Sequence, residues 1–531
     1  MISRREFTEL ASLAVAGVVL PGARPRPPQA LELEETTVAL LQDGMKAGRL
    51  SARGLTQAYL DRIAALDRQG PTLRAVLETN PEALAIADAL DAERRRGKVR
   101  GPMHGVPVIV KDNIDTHDKM QTTAGSLALE GNIALRDAFI VERLRTAGAV
   151  ILAKANLSEW ANFRSNRSSS GWSGRGRQCR NPYVLDRTPS GSSAGSAVAV
   201  SANLCAVAVG TETDGSIISP ANACGVVGVK PTVGLVSRAG IIPIAHSQDT
   251  AGPMCRTVAD AAALLTALAG VDARDPATAQ AEGHIAKDYT AFLDANGLKG
   301  ARIGVQARSG TNPIVDAVVE RAIAVLKAQG AEVVDPAPLE TAGQLGMNER
   351  DVLQYEFKAD VNAYLATVPA TVQPRTLADL IAFNEANKER EMPYFGQETF
   401  VASQARGPLT EQAYLDARAK CIELTRTKGI DATMDKHKLD AMLGPSGGIA
   451  SLVDLAGGGG GGGGGGSSQF PAVSGYPHIT VPAGLHFGLP LGVSFYGRAW
   501  SEPVLIRLAY AFEQATKARR VPAFTPTLTL S

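Results

Sequence analysis

Apolar residues near the start of the chain recur at helical spacing: Val38, Leu40, Leu41 and Met45, then Leu55, Tyr59, Leu60 and Ile63, with Gly48 and Ser51 between the runs. A period near 3.6 predicts two helices within 36–66. A third helix, rich in Ala and charge, is expected over about 81–95. The character then changes. Val106-Pro107-Val108-Ile109-Val110 and Ala149-Val150-Ile151-Leu152-Ala153 are continuous apolar runs, the pattern of strands covered on both faces. A helix over about 138–147 separates them. Small residues over 197–203 predict a closely packed helix, followed by a strand over 205–209. Further on, helical runs are expected at 317–328 and 411–426, with strands at 302–305 and 479–481. Strands alternating with helices predict an α/β sheet. The ten consecutive glycines at 457–466 offer no side chain to pack, which predicts a flexible loop within one folded unit, since strand-like sequence resumes beyond them.

Composition narrows the class. A chain of 531 residues with 45% hydrophobic and 20% charged residues can bury a large core and is not disordered; length alone would suggest three domains. The formal net charge of +1 provides no field to gather polyanions, so nucleic acid is not an expected ligand. The five cysteines, at 179, 205, 224, 255 and 421, form no zinc-ligand spacing and are expected to be buried free thiols. Residues 1–30 stand apart: Arg4-Arg5 precede a short apolar stretch, Leu10 to Leu20, and then a Pro/Arg-rich segment. The stretch is shorter than the roughly 20 residues a membrane span needs, so no stable membrane anchor is expected. Paired arginines ahead of it predict a leader for the twin-arginine export machinery and a periplasmic or secreted location.

The candidate chemistry lies in 165–233. Amide hydrolysis needs an activated nucleophile, donors placed where the carbonyl oxygen becomes negative, and an acid for the departing amine. Thr213-Asp214-Gly215-Ser216 can supply the first two, because a serine after a glycine turn exposes its hydroxyl beside successive backbone N–H groups. Lys111 closes the apolar run 106–110; buried there, it would lose its proton near neutral pH and could act as a base. A competing motif, Gly191-Ser192-Ser193-Ala194-Gly195, formally matches the nucleophile elbow of α/β-hydrolases with Ser193 as nucleophile. The segment before it carries Pro182 and Pro189 and scattered charge where the elbow needs a buried strand. None of His437, His478 and His486 sits in a suitable place for a partner.

Through these segments the chain resembles the amidase signature family. Gly191-Ser192-Ser193-Ala194-Gly195-Ser196 is similar to that family's Gly/Ser-rich loop, and Gly210-Thr211-Glu212-Thr213-Asp214-Gly215-Ser216-Ile217 follows at the usual distance. Lys111 in Gly105-Val106-Pro107-Val108-Ile109-Val110-Lys111-Asp112 fits as well, as do Gly228-Val229-Lys230-Pro231-Thr232 and Gly475-Tyr476-Pro477-His478-Ile479-Thr480-Val481-Pro482. The resemblance implies one large domain over 31–531, a mixed twisted sheet with helices on both faces, which displaces the three-domain expectation. It implies Ser216 as nucleophile, Ser192 on a cis peptide as proton relay and Lys111 as base. It further implies an oxyanion hole from the N–H groups of Thr213, Asp214, Gly215 and Ser216, with neither cofactor nor metal. Ser190 and Ala194 depart from the glycines usual in this loop. Asp214, where other members often have glycine, either tunes the pocket or stabilises the turn. Within the family, 211–216, 234–243 and 247–253 are most similar to members that remove the C-terminal amide of peptides and release ammonia.

The sequence leaves three other readings open. A hydrolase of aryl, fatty or other small amides would share the same residues. The glutamine-hydrolysing component of a tRNA-dependent amidotransferase would work in the cytosol, against the export signal. An exported binding protein would be expected to carry a defect among Lys111, Ser192 and Ser216, and the sequence shows none.

Overall fold

The computed structural model describes residues 33–306, 312–457 and 466–528. The predicted leader at 1–30 and residues 458–465 of the glycine tract lie outside them. From Leu33 onward the chain is one compact unit, as the resemblance implied.

Eleven strands form one sheet: β1 Val76–Thr79, β2 Pro107–Lys111, β3 Val150–Ala155, β4 Val207–Glu212, β5 Val227–Lys230, β6 Thr250–Cys255, β7 Arg302–Val305, β8 Glu332–Val334, β9 Ala441–Pro445, β10 His478–His486 and β11 Leu489–Tyr496. Their spatial order is β1-β3-β2-β4-β6-β5-β10-β11-β9-β7-β8. The sheet is mixed. β2 runs parallel to β3 and β4, while β6 pairs antiparallel with β4 and β5. Every residue of β2, β3 and β4 is buried, which is why the apolar runs 106–110 and 149–153 read as strands covered on both faces.

The predicted helices fall at Val38–Lys46, Ala52–Arg62, Ala83–Arg95, Phe139–Thr146 and Pro313–Ala328. The first two are capped as their sequence suggests, the side chains of Thr37 and Ser51 accepting from Leu40 N and Gly54 N. The small-residue helix starts earlier than expected, at Ala194–Ser201. A Cβ at Gly195 would collide with the backbone carbonyls of Ala75 and Asn156, so only a bare backbone fits this approach. The run expected over 411–426 is helical as Gln412–Ile422, then widens over Glu423–Ile430.

The strand expected at 205–209 lies instead at Val207–Glu212. Arg256 Nη1 donates to the carbonyl of Cys205 at 2.8 Å, and Ser193 Oγ accepts from Thr211 N at 3.1 Å. The strand therefore begins late and continues into the loop-like Thr211-Glu212. β5 and β6 escape a reading based on apolar runs because glycine interrupts both. A Cβ at Gly252 would collide with the Val229 carbonyl, and one at Gly228 would lie 2.9 Å from the Cβ of Ala221. All five cysteines are buried and unpaired. No helix among the described residues is long and apolar enough to cross a membrane.

Candidate active site

Parallel pairing of β2 with β4 brings their carboxyl ends together, with Val110 opposite Val209. The last residue of β2, Lys111, is fully buried and points at the end of β4. Its Nζ lies 2.7 Å from Ser192 Oγ, 2.9 Å from Thr211 Oγ1 and 3.2 Å from Thr211 O. Burial lowers its pKa to about 7, only partly opposed by the carboxylates of Asp249 and Glu212. A lysine in this state is neutral in a large fraction of molecules at physiological pH and can accept a proton.

Ser192 is fully buried, and the Gly191–Ser192 peptide is cis. Its carbonyl accepts from Ser158 N at 3.0 Å, and the next residue, Ser193, donates its N–H to Ser216 O at 3.1 Å. These bonds stitch the Gly/Ser loop to the turn that follows β4. Ser190, where glycine is usual, adopts φ +60 and donates its N–H to Thr188 Oγ1, so the loop keeps a left-handed backbone despite the side chain. Ser193 itself is tied on both sides to Thr211, donating to its carbonyl at 3.0 Å and accepting from its N–H at 3.1 Å. Ser196 Oγ donates to Val209 O. Neither hydroxyl is free for chemistry, which disposes of the nucleophile elbow.

The turn 213–216 is held from beneath. Glu212, buried at the end of β4, accepts the N–H groups of Ile217 at 2.7 Å and Ile218 at 3.0 Å. Burial raises its pKa against the pull of the buried Lys230, whose own pKa falls to about 8. Pinning 217 and 218 in this way leaves the four preceding N–H groups, those of Thr213, Asp214, Gly215 and Ser216, without a protein acceptor among the described residues. Gly215 takes φ +72, and a Cβ there would approach Ser219 Oγ at 3.0 Å and Ser468 Oγ at 3.1 Å. Asp214 accepts from Ser468 Oγ at 2.7 Å and hydrogen-bonds the Glu349 carboxyl, whose pKa burial pushes well up. The aspartate thus braces the turn against the Gln469–Ser474 helix and the Asn348–Leu365 helix.

Ser216 is 8% exposed, whereas Ser192 and Ser193 are 0% exposed, so of the three it is the one that meets solvent. No hydrogen bond joins its hydroxyl to Ser192 among the described residues. The structure therefore brings Lys111 to Ser192 directly and ties Ser216 to the same loop through its backbone. Such catalytic contacts commonly tighten only when substrate is bound.

Thr211 and Thr213 also line a cavity of about 330 Å³. The buried Asn113 lines it too, Ile241, Ile242, Ile244 and Tyr364 supply apolar surface, and the exposed His246 also lines it, its Nδ1 2.8 Å from Asp360 Oδ2. Asp249 joins cavity and turn by accepting from Thr213 Oγ1 at 2.6 Å and from Ile244 N and Ala245 N. Asn113, Thr211, Asp249, Glu349 and Ser468 carry no signal of their own in the sequence. Asn113 and Thr211 sit inside segments already marked, but no spacing rule links 249, 349 or 468 to Ser216.

A mixed sheet that buries Lys111 against a serine loop, beside a turn whose N–H groups have no acceptor among the described residues, is an arrangement able to activate a hydroxyl for attack on an amide. The sequence model of the family "Amidase" matches residues 54–506, and the chain belongs to this amidase signature family and is an amidase. Native peptide amidase from Stenotrophomonas maltophilia superposes with a TM-score of 0.88 at 53% identity, over 93% of this chain and 99% of that one. A probable amidase of Arabidopsis thaliana is 43% identical over 93% of this chain and 92% of its own. A glutamyl-tRNA(Gln) amidotransferase component from Alkalilimnicola ehrlichii is 34% identical over 92% of this chain and 99% of its own.

Proposed function

We propose that the protein removes the C-terminal amide of peptides, releasing ammonia, through an acyl-enzyme on Ser216. The observation that carries this reading is the fully buried Lys111 Nζ, 2.7 Å from Ser192 Oγ, beside four N–H groups at Ser216 with no acceptor among the described residues. Ser216 Oγ attacks the amide carbon; its proton passes to Ser192 as that hydroxyl gives its own to Lys111 Nζ. The oxyanion gathers the N–H groups of Thr213, Asp214, Gly215 and Ser216, each such donor contributing about 3–4 kcal/mol to the transition state. The C–N bond then breaks as the proton returns through Ser192 to the nitrogen, and ammonia leaves. Water adds to the ester, its proton takes the same route, and the C–O bond breaks to free the acid and restore the Ser216 hydroxyl.

Peptide amides are favoured because the Stenotrophomonas maltophilia enzyme at 53% identity is a peptide amidase, and because the cavity combines apolar walls with polar groups, as a peptide requires. Hydrolysis of amidated di- and tripeptides, read as ammonia release, is expected to exceed that of anilides, read as aniline release, and of long-chain primary amides and glutamine by at least about tenfold in kcat/KM. Faster release from anilides or long-chain amides would move the assignment to the small-amide hydrolases, and faster release from glutamine to the amidotransferases.

The Arg4-Arg5 leader supports a further proposal, that the chain leaves the cytoplasm by the twin-arginine machinery. Fractionation of cells producing the full chain should place it outside the cytoplasm; cytoplasmic retention of the unprocessed chain would defeat this.

A further inference from the structure

The cavity is lined in part by Asn113, a polar residue that the reaction scheme does not use. Asn113 stands two residues beyond Lys111 and is 3% exposed. Its Nδ2 donates to Thr211 Oγ1 at 3.0 Å and, more loosely, to Ile242 O at 3.5 Å. Its Oδ1 is buried and has no donor among the described residues. In this orientation Nδ2 faces two oxygens, the Thr211 hydroxyl and the Ile242 carbonyl, of which the carbonyl can only accept. A buried acceptor left empty opposes folding, so its persistence in the lining of a ligand-sized cavity calls for a partner that arrives from outside.

The position says what that partner must be. Thr211 Oγ1 receives hydrogen bonds from both Lys111 and Asn113, so the asparagine is separated from the base by a single hydroxyl. A substrate with its carbonyl carbon at Ser216 and its acyl chain in the cavity would enter by way of Thr213, three residues before Ser216, and run along a lining that includes Thr211 and Asn113. In a peptide amide the nearest donor on the acyl side is the backbone N–H of the residue that carries the amide. Fatty and aryl amides have carbon at that place.

We propose that Asn113 Oδ1 accepts this acyl-side N–H, making Asn113 the residue by which the site selects amides of N-acylated amino acids and peptides over amides of hydrocarbon acids. The proposal rests on the peptide-amide reading above and names the contact that would enforce it. Thr211 and Thr213 then flank the bound backbone, and Ile241, Ile242 and Tyr364 meet side chains further along.

The test is a matched substrate pair, N-acetylphenylalanine amide and its analogue with the acetyl N–H replaced by an ester oxygen, assayed by ammonia release. Wild-type enzyme is expected to prefer the N–H substrate by about 10–100-fold in kcat/KM. In Asn113→Ala that ratio should fall to within about threefold of unity, whatever the overall rate, because the substrate change no longer removes a contact. Asn113→Asp retains an acceptor and should retain the preference, while its charge near Lys111 moves the acid limb of the pH profile upward. If asparagine merely props Thr211, Asn113→Ala slows both substrates equally and the ratio survives, which overturns the proposal. A wild-type ratio near one overturns it as well. Wild-type enzyme that ignores both substrates yet cleaves fatty or aryl amides sinks the peptide-amide reading, and this proposal with it.

Discussion

Ser216→Ala is expected to reduce amide hydrolysis by on the order of 10⁴-fold or more, with the fold intact. Access and commitment single this serine out. Three serines crowd the site, but the Ser193 hydroxyl is bound on both sides to the Thr211 backbone and the Ser192 hydroxyl is held by Lys111. Of these only Ser216 combines partial exposure with a hydroxyl that has no hydrogen-bond partner among the described residues, next to N–H groups able to receive an oxyanion. Without its oxygen no acyl-enzyme forms, and water would have to attack the amide unaided by covalent catalysis. Intact-mass measurement after an alkyl fluorophosphonate supplies the check: one adduct on wild type and on Ser193→Ala, none on Ser216→Ala. An adduct that persists in Ser216→Ala would place the nucleophile elsewhere, and Ser192 would be the residue to examine next.

The parts of this site that were legible in the sequence are those made by one or two local segments. Lys111 stands at the end of an apolar run that left open whether its charge sat in water or in the interior, and the structure buries it. The open turn 213–216 follows from Gly215, which supplies the left-handed residue. Much of the support comes from afar. Glu349 reaches Asp214 from a helix 135 residues later, and Ser468 from just beyond the glycine tract. Such contacts depend on the sheet order, in which β10 and β11 separate β5 from β9, and no periodicity along the chain encodes that order. The fold shows the same division. Strands made of branched apolar residues, such as β2 and β3, were readable because burial on both faces selects those residues. β5, β6 and β9 were not, because close backbone approach selects glycine and proline, which otherwise signal turns. The family resemblance supplied the architecture where these local rules stopped.

Lys111→Met is expected to remove activity while leaving stability at pH 7 equal to or above that of the wild type, and the opposite signs follow from one pKa. The amine must be neutral to accept the proton that Ser192 passes on. With a pKa of about 7, kcat/KM should be level above neutrality and fall tenfold per pH unit below it, reaching roughly 1% of the plateau near pH 5. Folding moves the other way. Between pH 7 and the ordinary lysine value of 10.5 the unfolded chain binds more protons than the folded one, so the lysine costs the folded state on the order of 4 kcal/mol at pH 7. That cost fades as pH rises toward 10.5 and is at its full, constant size at acidic pH, where both states are protonated. Methionine has similar length and no charge to desolvate; it forfeits the hydrogen bonds to Ser192 and Thr211, which offsets part of the gain. Denaturant unfolding at pH 7 together with the pH–rate profile reads both signs. A Lys111→Met enzyme that retains its rate, or a wild-type profile flat from pH 5 to 8, would remove this lysine from the proton path and with it the mechanism proposed for Ser216.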